Sequence, residues 1–518
     1  MQRLPTVDLI VLVIYLAAVV GLGAWFARRN RTTHHFMAAG GSLPGWAVGL
    51  SIFGTYLSSN TFIGVPGKAY GGNWNGFVFS LSLPLAAWVA VKYFVPFYRK
   101  SREISAYHHL ENRFGPWART YALVCYLLTQ LARMGAILFG VAIGLNALTG
   151  WSLPVIIIGA GVAVTFYTLL GGIEAVIWTD VIQSIVLLVG ALAIGVLLLV
   201  NHPGGTGEAL HVAAGAGKFS FGSFALDFTQ STFWVMLLFG IFINLNNFGI
   251  DQSFVQRYHA ASSGREAKRS VWLGALLYVP VSALFFFIGS LLFSYYEASP
   301  NLRNEVQTQV AKKELITKGI EVTPTSLAKV TVTQEHKDYG DQILPHFMAT
   351  QLPTGVAGLL IAAIFAAAMS SIDTSLNSSA TVTLKDFFQR YLKRGQDEAA
   401  ALKILRGATL AWGVLGTGVA LVMIGQKSLL DVWWKLSGIF AGGMLGLFLL
   451  GLIARKADHA AALTGVTIGV LVICWMTVAD GLPEFLRSPF HANMIIVIGT
   501  LTIFLVGLGV SRVRQSKR

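Results

Sequence analysis

The amino-acid sequence predicts an all-α protein that crosses a lipid bilayer many times, and three observations support this prediction. Of its 518 residues, 54% are hydrophobic and only 12% are charged, which is about half the charged share of an average soluble domain. Apolar runs such as 184–200 and 494–510 approach the ~20 residues that a helix needs to cross a bilayer. The 55 Gly, 33 Phe and 13 Trp suit helices that pack closely in lipid. A large soluble core is excluded because it would need far more charged surface.

Hydropathy along the chain predicts about thirteen transmembrane helices. They lie at 7–26, 44–65, 76–97, 118–147, 153–170, 175–200, 231–250, 271–295, 354–379, 402–424, 430–453, 460–479 and 491–511. The first span lacks a small-residue cleavage site and its cations follow it, so it is predicted to be a retained helix and not a signal peptide. This arrangement places the N-terminus outside, and an odd number of spans then places the C-terminus inside.

The distribution of charge supports the same topology. The net charge of +14 does not indicate nucleic-acid binding, because the basic residues lie in short loops between apolar runs. With the N-terminus outside, the inner loops contain nearly every dense cluster of cations, as the positive-inside rule requires. These clusters are Arg28, Arg29, Arg31; Arg99, Lys100, Arg102; Arg257, Arg265, Lys268, Arg269; Lys385, Arg390, Lys393, Arg394; Arg455, Lys456; and the tail 512–518. The segment at about 298–346 mixes lysines with glutamates and is predicted to be an extracellular insertion, partly helical around 302–318.

The second span is polar enough to predict a functional break in its helix. Glycines at 49, 54 and 64 alternate there with hydroxyl and amide side chains over 51–61. A helix unwound at this point would expose backbone carbonyls, which are hard oxygen ligands for a small cation, beside hydroxyls for a solute. The alternative is a Ser/Gly face at which two helices pack.

The ninth span contains a carboxylate among hydroxyls. Ser370, Asp373 and Thr374 are spaced i, i+3, i+4 and therefore share one helical face, with Ser371 adjacent. Together with the Ala367 carbonyl they form a plausible oxygen cage for Na⁺. Hydroxyls that bond back to their own helix would explain the serines but not an aspartate, because ionisable groups in a bilayer are expensive.

Two further ionisable groups stand in predicted spans. Asp180 and Gln183 share a face near the start of the sixth span. A carboxylate there either binds a cation or is stabilised by the helix dipole. Arg133 lies near the middle of the fourth span, and its planar fork matches a carboxylate. That carboxylate belongs either to a solute or to an internal partner such as Asp373 or Asp180.

Other kinds of chemistry are not predicted. Cys125 and Cys474 lie in distant apolar stretches and are expected to be buried packing residues rather than a disulfide or part of a metal cluster. The sequence contains no HExxH pair, no GxSxG elbow and no filter-like repeat, so neither an enzyme nor a channel is expected.

Five runs in order along the chain resemble the sodium/solute symporter family, and the likeness covers essentially the whole chain. The most specific is GGIEAVIWTDVIQ at 171–183; the others are 45–47, 68–70, 251–258 and AAAMSSIDTSLNS at 366–378. The family implies a LeuT-type core of two inverted five-helix repeats, at about 44–200 and 231–453. A leading helix and loop at 7–43 and two trailing helices at 454–518 would complete a single transmembrane transporter domain over 1–518.

The resemblance also implies a sodium site between the first and eighth core helices. Its ligands in this chain would be the carbonyls of Gly54, Leu57 and Ala367 and the hydroxyls of Ser370 and Ser371. All five positions can supply the oxygen that such a site requires.

A second sodium site occurs in some members that resemble sialic acid symporters. Its matching positions here are Asp180, Ser370, Asp373 and Thr374. Asp373 stands where those members have a serine, so the added carboxylate is expected to strengthen sodium binding, to take a proton or to pair with Arg133.

The implied solute pocket resembles the sialic acid branch more than the glucose branch. Arg133 matches the arginine that grips the carboxylate in sialic acid symporters, and Asn247 stands where the glucose branch has a tyrosine. The substrate-binding residues implied by the resemblance are Tyr56, Ser58, Thr61, Gly76, Ser80, Arg133 and Asn247. Among them, the residues at 56, 76 and 80 replace a threonine, a phenylalanine and a glutamine.

The expected function is therefore Na⁺-coupled import of a small organic solute by alternating access. The solute is expected to be carboxylated, as a sialic acid, a sugar acid or a monocarboxylate. A neutral sugar or polyol symporter is the nearest alternative, and a proton-coupled carrier is a more distant one. The expected partners are Na⁺, the solute and the bilayer, with no nucleic acid, and the chain is expected to act as a monomer in the cell inner (plasma) membrane.

Overall fold

The computed structural model describes residues 5–27, 32–353, 355–392, 397–425 and 429–516, and in these residues the chain is helical with a single isolated β-bridge. The first half contains α1 Thr6–Ala27, α2 Thr33–Ala38, α3 Gly45–Tyr56, α4 Val65–Gly71, α5 Val78–Leu81, α6 Leu83–Val89, α7 Val95–Ser101, α8 His108–Phe114, α9 Pro116–Thr149, α10 Leu153–Val200 and α11 Gly205–Gly215. The second half contains α12 Phe233–Ile250, α13 Gln252–Ala260, α14 Gly264–Glu297, α15 Pro300–Thr317, α16 Pro324–Thr333, α17 His336–Thr350, α18 Val356–Val382, α19 Glu398–Val422, α20 Leu429–Ile453, α21 His459–Val478 and α22 Met494–Ser516. The predicted loop cations Arg28, Arg29, Arg31, Lys393 and Arg394 lie outside the described residues.

Eleven helices of the described chain are long and apolar enough to cross a membrane. The two remaining predicted spans are also helical, but neither forms a single helix long enough to cross a membrane. The span 44–65 is divided between α3 and α4, and the span 153–170 corresponds to a shorter apolar helix at Leu153–Leu169. All-helical membrane architecture is thus confirmed, and the difference in number comes from interrupted helices.

The predicted break in the second span is present. Helix α3 ends at Tyr56, Leu57 has extended backbone (φ −92°, ψ 109°), and a π-helical turn at Asn60–Gly64 leads into α4. The Ser59 hydroxyl donates to the carbonyl of Ile137 on α9 at 2.7 Å, and the Thr61 hydroxyl donates to the Tyr56 carbonyl at 3.1 Å. These side-chain bonds hold the non-helical backbone in place and leave carbonyls that no helix uses.

A second interruption separates the predicted fifth and sixth spans, which form one long element, α10. Gly172 has φ 58° and ψ −172°, a conformation that a residue with a side chain rarely adopts. The chain therefore changes direction at Gly172, and Asp180 lies two turns beyond it. This places Asp180 deep in the protein rather than at an exposed helix start.

Helix α18 occupies the centre of the fold, where it packs against α10, α9, α3 and α1. Every residue from 360 to 382 is buried, so no side of this stretch faces lipid. Its hydroxyl, amide and carboxylate groups must therefore find partners inside the protein, because an unpaired buried polar group is costly.

The predicted extracellular insertion is more helical than expected. Its first helix, α15, agrees with the helix predicted around 302–318, but α16 and α17 also lie within or across the segment. Helix α17 packs against α4, the second half of the broken helix. These two helices are not predicted from the sequence because their polar, mixed-charge composition shows no apolar periodicity.

The end of α4 is held by an amine from the loop after α11. The Lys218 ammonium donates to the carbonyls of Tyr70 at 2.5 Å and Gly72 at 3.0 Å, and it lies 3.9 Å above the ring of Phe293. Burial lowers the pKa of Lys218 to about 8. The same contacts satisfy carbonyls at a helix C-terminus, where a cation is favoured.

The cysteine prediction is wrong in part. Both cysteines are free, as expected, but Cys474 is exposed and Cys125 is only partly buried. The apolar stretch around Cys474 belongs to α21, a helix whose residues are mostly not buried within the protein, so an apolar neighbourhood in the sequence did not imply a packed interior.

Candidate functional site

A polar cavity lies beside the break between α3 and α4. Helices α5, α9, α12, α13, α14 and α20 supply its other walls, and about 970 Å³ of space free of protein atoms lies between them, including open solvent at the mouth. Its lining includes every residue of the predicted solute pocket: Tyr56, Ser58, Thr61, Gly76, Ser80, Arg133 and Asn247. The seven positions come from α3, the break after it, a 3₁₀ turn at Trp74–Phe77, α5, α9 and α12, so six elements bring them to one cavity.

Arg133 reaches this cavity from α9. Its guanidinium donates to the Thr55 carbonyl at the end of α3, and among the described residues it forms no ion pair. The neighbouring carboxylate, Asp251, forms no ion pair with it: the Oδ1 atom accepts from the backbone N–H of Ser253 at 2.8 Å and from the Ser253 hydroxyl at 2.5 Å, and the Oδ2 atom accepts from the Gln130 amide at 3.4 Å. Arg133 thus retains donors that no protein carboxylate uses.

Three amide oxygens in the cavity wall also lack partners among the described residues. They belong to Asn60, Gln130 and Asn246, each of which is buried. The orientation of Gln130 is fixed by its amide nitrogen, which faces Asp251 at 3.4 Å. These acceptors were not predicted, although Gln130 and Arg133 are spaced i, i+3 and so share a helical face.

Aromatic rings form two groups in the cavity wall. In the Tyr56 ring cluster, Tyr56 lies 5.4 Å from Phe254, 5.2 Å from Tyr278 and 6.1 Å from Phe248 between ring centroids. In the Trp434 ring cluster, the rings of Phe79, Phe239 and Trp434 lie 5.7–6.1 Å apart. Such separations are typical of favourable aromatic contacts.

Gly76 and Ser80 shape the wall near the Trp434 ring cluster. A Cβ atom at Gly76 would approach the Phe286 ring to 3.0 Å and the Trp434 ring to 3.4 Å, so this position is in close contact with rings. The Ser80 hydroxyl lies 2.7 Å from that of Ser282. The small residues at 76 and 80 therefore leave space that neighbouring side chains partly fill.

The five residues of the first predicted sodium site belong to two elements that meet. The Ser370 hydroxyl lies 3.1 Å from the Gly54 carbonyl and 3.3 Å from the Ala367 carbonyl. Leu57 supplies the extended backbone after α3, and the Ser371 hydroxyl is fully buried without a hydrogen-bond partner in the described residues. A buried hydroxyl with no partner beside backbone carbonyls is suited to a small hard cation.

Asp180 has a cationic partner that the sequence analysis did not predict. Its Oδ2 atom accepts from Arg257 Nη2 at 3.1 Å and from the Ser51 hydroxyl, while Oδ1 has no partner among the described residues. Arg257 also donates to Thr374 Oγ1 at 2.7 Å and to the Ser253 carbonyl at 2.9 Å. A guanidinium therefore joins two of the four residues of the second predicted sodium site.

Asp373 has a different environment from Asp180. Its Oδ2 atom accepts from the Tyr167 hydroxyl on α10, and Oδ1 accepts from the Thr374 backbone N–H at 2.6 Å. Within the described residues Asp373 forms no ion pair. The expected alternatives in which Arg133 pairs with Asp180 or Asp373 are therefore wrong, because Arg257 and Tyr167 take those positions.

The predicted location of Arg257 is also wrong. It was expected among the loop cations near Arg265, yet its side chain is completely buried. Helix α13 turns back under the core after Asp251, whose side chain caps it, and this return carries Arg257 inward. Arg265, Lys268 and Arg269 remain exposed, as loop and helix-end cations are expected to be.

Comparison with known proteins identifies the family. Residues 36–469 match the model of the sodium:solute symporter family. The chain belongs to this family. Its membership makes it a transporter that couples solute movement to sodium and not an enzyme, and it confirms the family expected from the sequence.

Two sodium/sialic acid symporters are similar to this chain over nearly its whole length. NanT of Aliivibrio fischeri is 34% identical over 97% of this chain and 94% of its own length, and SiaT of Proteus mirabilis is 32% identical over 94% and 93%. Sodium-coupled monocarboxylate transporter 2 of Mus musculus is 27% identical over 89% of this chain and 70% of its own. The resemblance to the sialic acid branch is thereby confirmed.

Solved structures lead to the same family and fold. A substrate-bound, outward-open Na⁺-coupled sialic acid symporter superposes with a TM-score of 0.85 at 30% identity over 98% of each chain. Mhp1, a nucleobase-cation-symport-1 family transporter, matches with a TM-score of 0.54 at 15% identity over 93% of this chain and 95% of its own. The second likeness concerns the fold alone.

Proposed function

We propose that this symporter imports a small hydroxylated carboxylate, such as a sialic acid or another sugar acid, together with Na⁺. The observation that carries the proposal is the position of Arg133, a cation in a buried polar cavity with donors free of protein carboxylates. Unused donors on a charge in a low-dielectric interior are unfavourable, and a planar carboxylate is their natural partner. The substrates named for NanT and SiaT carry this group.

The amide oxygens of Asn60, Gln130 and Asn246 favour a solute with hydroxyl or amide donors over an alkyl monocarboxylate. A buried acceptor without a partner loses free energy comparable to a hydrogen bond, and a polyhydroxylated solute can satisfy several acceptors at once. The rings of the cavity wall offer apolar faces to the carbon skeleton of a sugar. A short alkyl acid would satisfy Arg133 but not the amides.

Sodium is proposed to bind first between α3 and α18. Gly54, Leu57, Ala367, Ser370 and Ser371 would coordinate it, and the unpartnered Ser371 hydroxyl supports this assignment. Asp180, Ser370, Asp373 and Thr374 are proposed to form the second site, with the Arg257 guanidinium as a fixed neighbour. Bound Na⁺ would fix the broken helix that forms one wall of the solute cavity, and this shared element would couple the two ligands.

The number of sodium ions decides how far the solute can be concentrated. With two Na⁺ and one anionic solute, one net charge gains ~2.3 kcal/mol per 100 mV of membrane potential. A tenfold sodium gradient adds ~1.4 kcal/mol for each ion. The total of about 5 kcal/mol supports accumulation of several-thousand-fold, whereas one Na⁺ would support about tenfold.

The proposed topology has thirteen crossing helices with the N-terminus outside and the C-terminus inside. The repeats are placed at 44–200 and 231–453, preceded by 7–43 and followed by 454–518, with the extracellular insertion at about 298–346. The distribution of loop cations supports this orientation. We place the chain as a monomer in the inner (plasma) membrane, where a sodium gradient and a potential can drive import.

A thermal-shift panel on detergent-purified protein tests the function. Sialic acids, sugar acids, short monocarboxylates and neutral sugars are each added in NaCl and in choline chloride. We expect stabilisation by a hydroxylated carboxylate in NaCl only, and its loss in Arg133→Ala. Uptake into proteoliposomes with an imposed inward sodium gradient then measures transport of the stabilising solute.

The matched control is Arg113→Ala, in which the lost guanidinium donates to backbone carbonyls of Gly451 and Ala454 far from the cavity. This variant should keep the sodium-dependent shift. Stabilisation by neutral sugars alone would refute the role of Arg133 and favour the sugar symporter. Stabilisation that is equal in choline would refute sodium coupling at these sites.

A further inference from the structure

A groove between α7 and the beginning of α14 presents cations without partners. Its lining consists of Pro96, Gly264, Arg265, Lys268, Arg269 and Trp272. Arg269 pairs with Glu266 at 2.9 Å, but Arg265 and Lys268 are exposed and form no hydrogen bond or ion pair among the described residues. Two adjacent cations are therefore available to an external anion.

These cations do not stabilise the helix on which they stand. The first turns of a helix carry a partial positive charge, which disfavours Lys and Arg there. The neighbouring carboxylate, Glu266, is already bound to Arg269 and to the backbone N–H of Gly45 at 2.9 Å. The groove is therefore positively charged, and no described carboxylate neutralises Arg265 or Lys268.

An apolar and aromatic surface continues from the charged end of the groove. Along α14, Trp272 is followed by Leu273 and Leu276, which are exposed. On α6, which also packs against α14, the ring of Trp88 is exposed, and the Lys92 ammonium of the following turn lies 4.9 Å from it. Cations beside aromatic rings, next to exposed aliphatic side chains, mark the level at which lipid headgroups meet hydrocarbon.

We propose that this groove binds an anionic phospholipid. The headgroup phosphate lies between Arg265 and Lys268, and an acyl chain runs along Trp272 and Leu276. The occupant is a lipid rather than a soluble anion because the apolar surface is continuous with the cations. In the proposed topology the groove faces the inner leaflet, where anionic headgroups attract basic side chains; the binding itself does not depend on which solute is transported.

Native mass spectrometry of the purified protein with added phosphatidylglycerol or phosphatidylcholine tests this inference. We expect one phosphatidylglycerol to be retained preferentially by the wild type. The double variant Arg265→Gln/Lys268→Gln should bind it about 30-fold more weakly, since each cation near an anionic surface contributes roughly a fivefold gain. Thermal midpoints in the same lipids, measured in choline chloride, provide a second reading without sodium.

The matched control is Lys403→Gln/Arg406→Gln on α19, which removes an exposed Lys and Arg at the same spacing outside the groove. This control should retain the lipid, and inorganic phosphate alone should not raise the thermal midpoint. Equal loss of phosphatidylglycerol in both double variants would show that binding depends on the total charge and not on this groove. Retention of phosphatidylcholine equal to that of phosphatidylglycerol would overturn the headgroup assignment. Stabilisation by inorganic phosphate would identify a soluble anion as the ligand instead. None of these outcomes alters the sodium-dependent shift that tests the transport proposal.

Discussion

Arg257 and Arg133, two arginines on the inner helices of this membrane protein, have opposite surroundings. Arg257 is completely buried and bonds to Asp180, Ser51, Thr374 and the backbone. Arg133 is half-buried, faces a cavity and, within the described part of the chain, donates only to a backbone carbonyl. Arg257 is therefore part of the framework, whereas Arg133 is left for a ligand.

The difference shows that burial of a charge does not by itself mark a binding site. A charge whose donors are all used stabilises the arrangement of helices around it, and removing it leaves its partner carboxylate uncompensated. A charge with unused donors raises the free energy of the empty protein and lowers it when the ligand binds. The two arginines can thus be separated by matched substitutions.

The largest effect is expected for Arg257→Met. It leaves Asp180 and Asp373 buried without a cation, and breaking a buried pair of this kind costs about 3–5 kcal/mol. The free energy of unfolding in mixed micelles measures the loss, and the thermal midpoint should become more dependent on sodium because Na⁺ can replace the missing charge. A variant as stable as the wild type would show that Arg257 is not a structural cation.

The next effect concerns the unpartnered hydroxyl of the first sodium site. Ser371→Ala should raise the sodium concentration for half-maximal stabilisation about tenfold, since a neutral oxygen facing a charge contributes roughly 1.5 kcal/mol. Ser375→Ala is the matched control, because its hydroxyl donates to the Ser371 carbonyl one turn away at 2.9 Å. Both variants should fold with similar stability in choline. Equal sodium affinities in the two would remove Ser371 from the site.

A smaller effect is expected at the second site. Two carboxylates and one guanidinium leave a formal charge of −1 around Asp180, Asp373 and Arg257, which one Na⁺ would neutralise. Asp373→Asn should therefore make sodium-dependent uptake less steep and raise its half-saturation severalfold. Tyr167→Phe, which removes the hydroxyl that donates to Asp373 and keeps the carboxylate, should preserve the steepness. If Asp373→Asn leaves the sodium dependence unchanged, Asp373 does not contribute to coupling.

The smallest effect completes the comparison of the arginines. Arg133→Met should change the free energy of unfolding of the solute-free protein by only about 1 kcal/mol, the contribution of one hydrogen bond. Solute-dependent stabilisation should nevertheless disappear. A loss of stability similar to that of Arg257→Met would mean that Arg133 also belongs to the framework.

The sequence predicts the polar break and the central helix well, because both contain polar residues inside segments that are otherwise apolar enough to cross a membrane. Hydroxyls and glycines between Gly49 and Gly64, and Asp373 within an apolar span, have no purpose in packing alone. The seven residues of the solute pocket required the family resemblance, since nothing local to Gly76 or Asn247 indicates a cavity. Their convergence depends on helix packing, which a one-dimensional pattern does not contain.

The sequence could not locate Arg257 for a related physical reason. Arg257 and Arg265 both follow the apolar run at 231–250, so the sequence predicts the same loop location for the two residues. Only the return of α13 under α3 and α18 separates a buried cation from an exposed one. The change of direction at Gly172, by contrast, agrees with the boundary predicted between the spans 153–170 and 175–200.

The two ring clusters have a consequence for how the cavity opens. Neither the Tyr56 ring cluster nor the Trp434 ring cluster contains a Lys, Arg, Asp or Glu side chain. Any movement that opens the cavity through either of them separates aromatic surface from aromatic surface and breaks no ion pair. The free energy of opening then depends on exposing this apolar surface to water. Sulfate and sucrose should therefore favour the closed state, and low concentrations of urea should favour the open state.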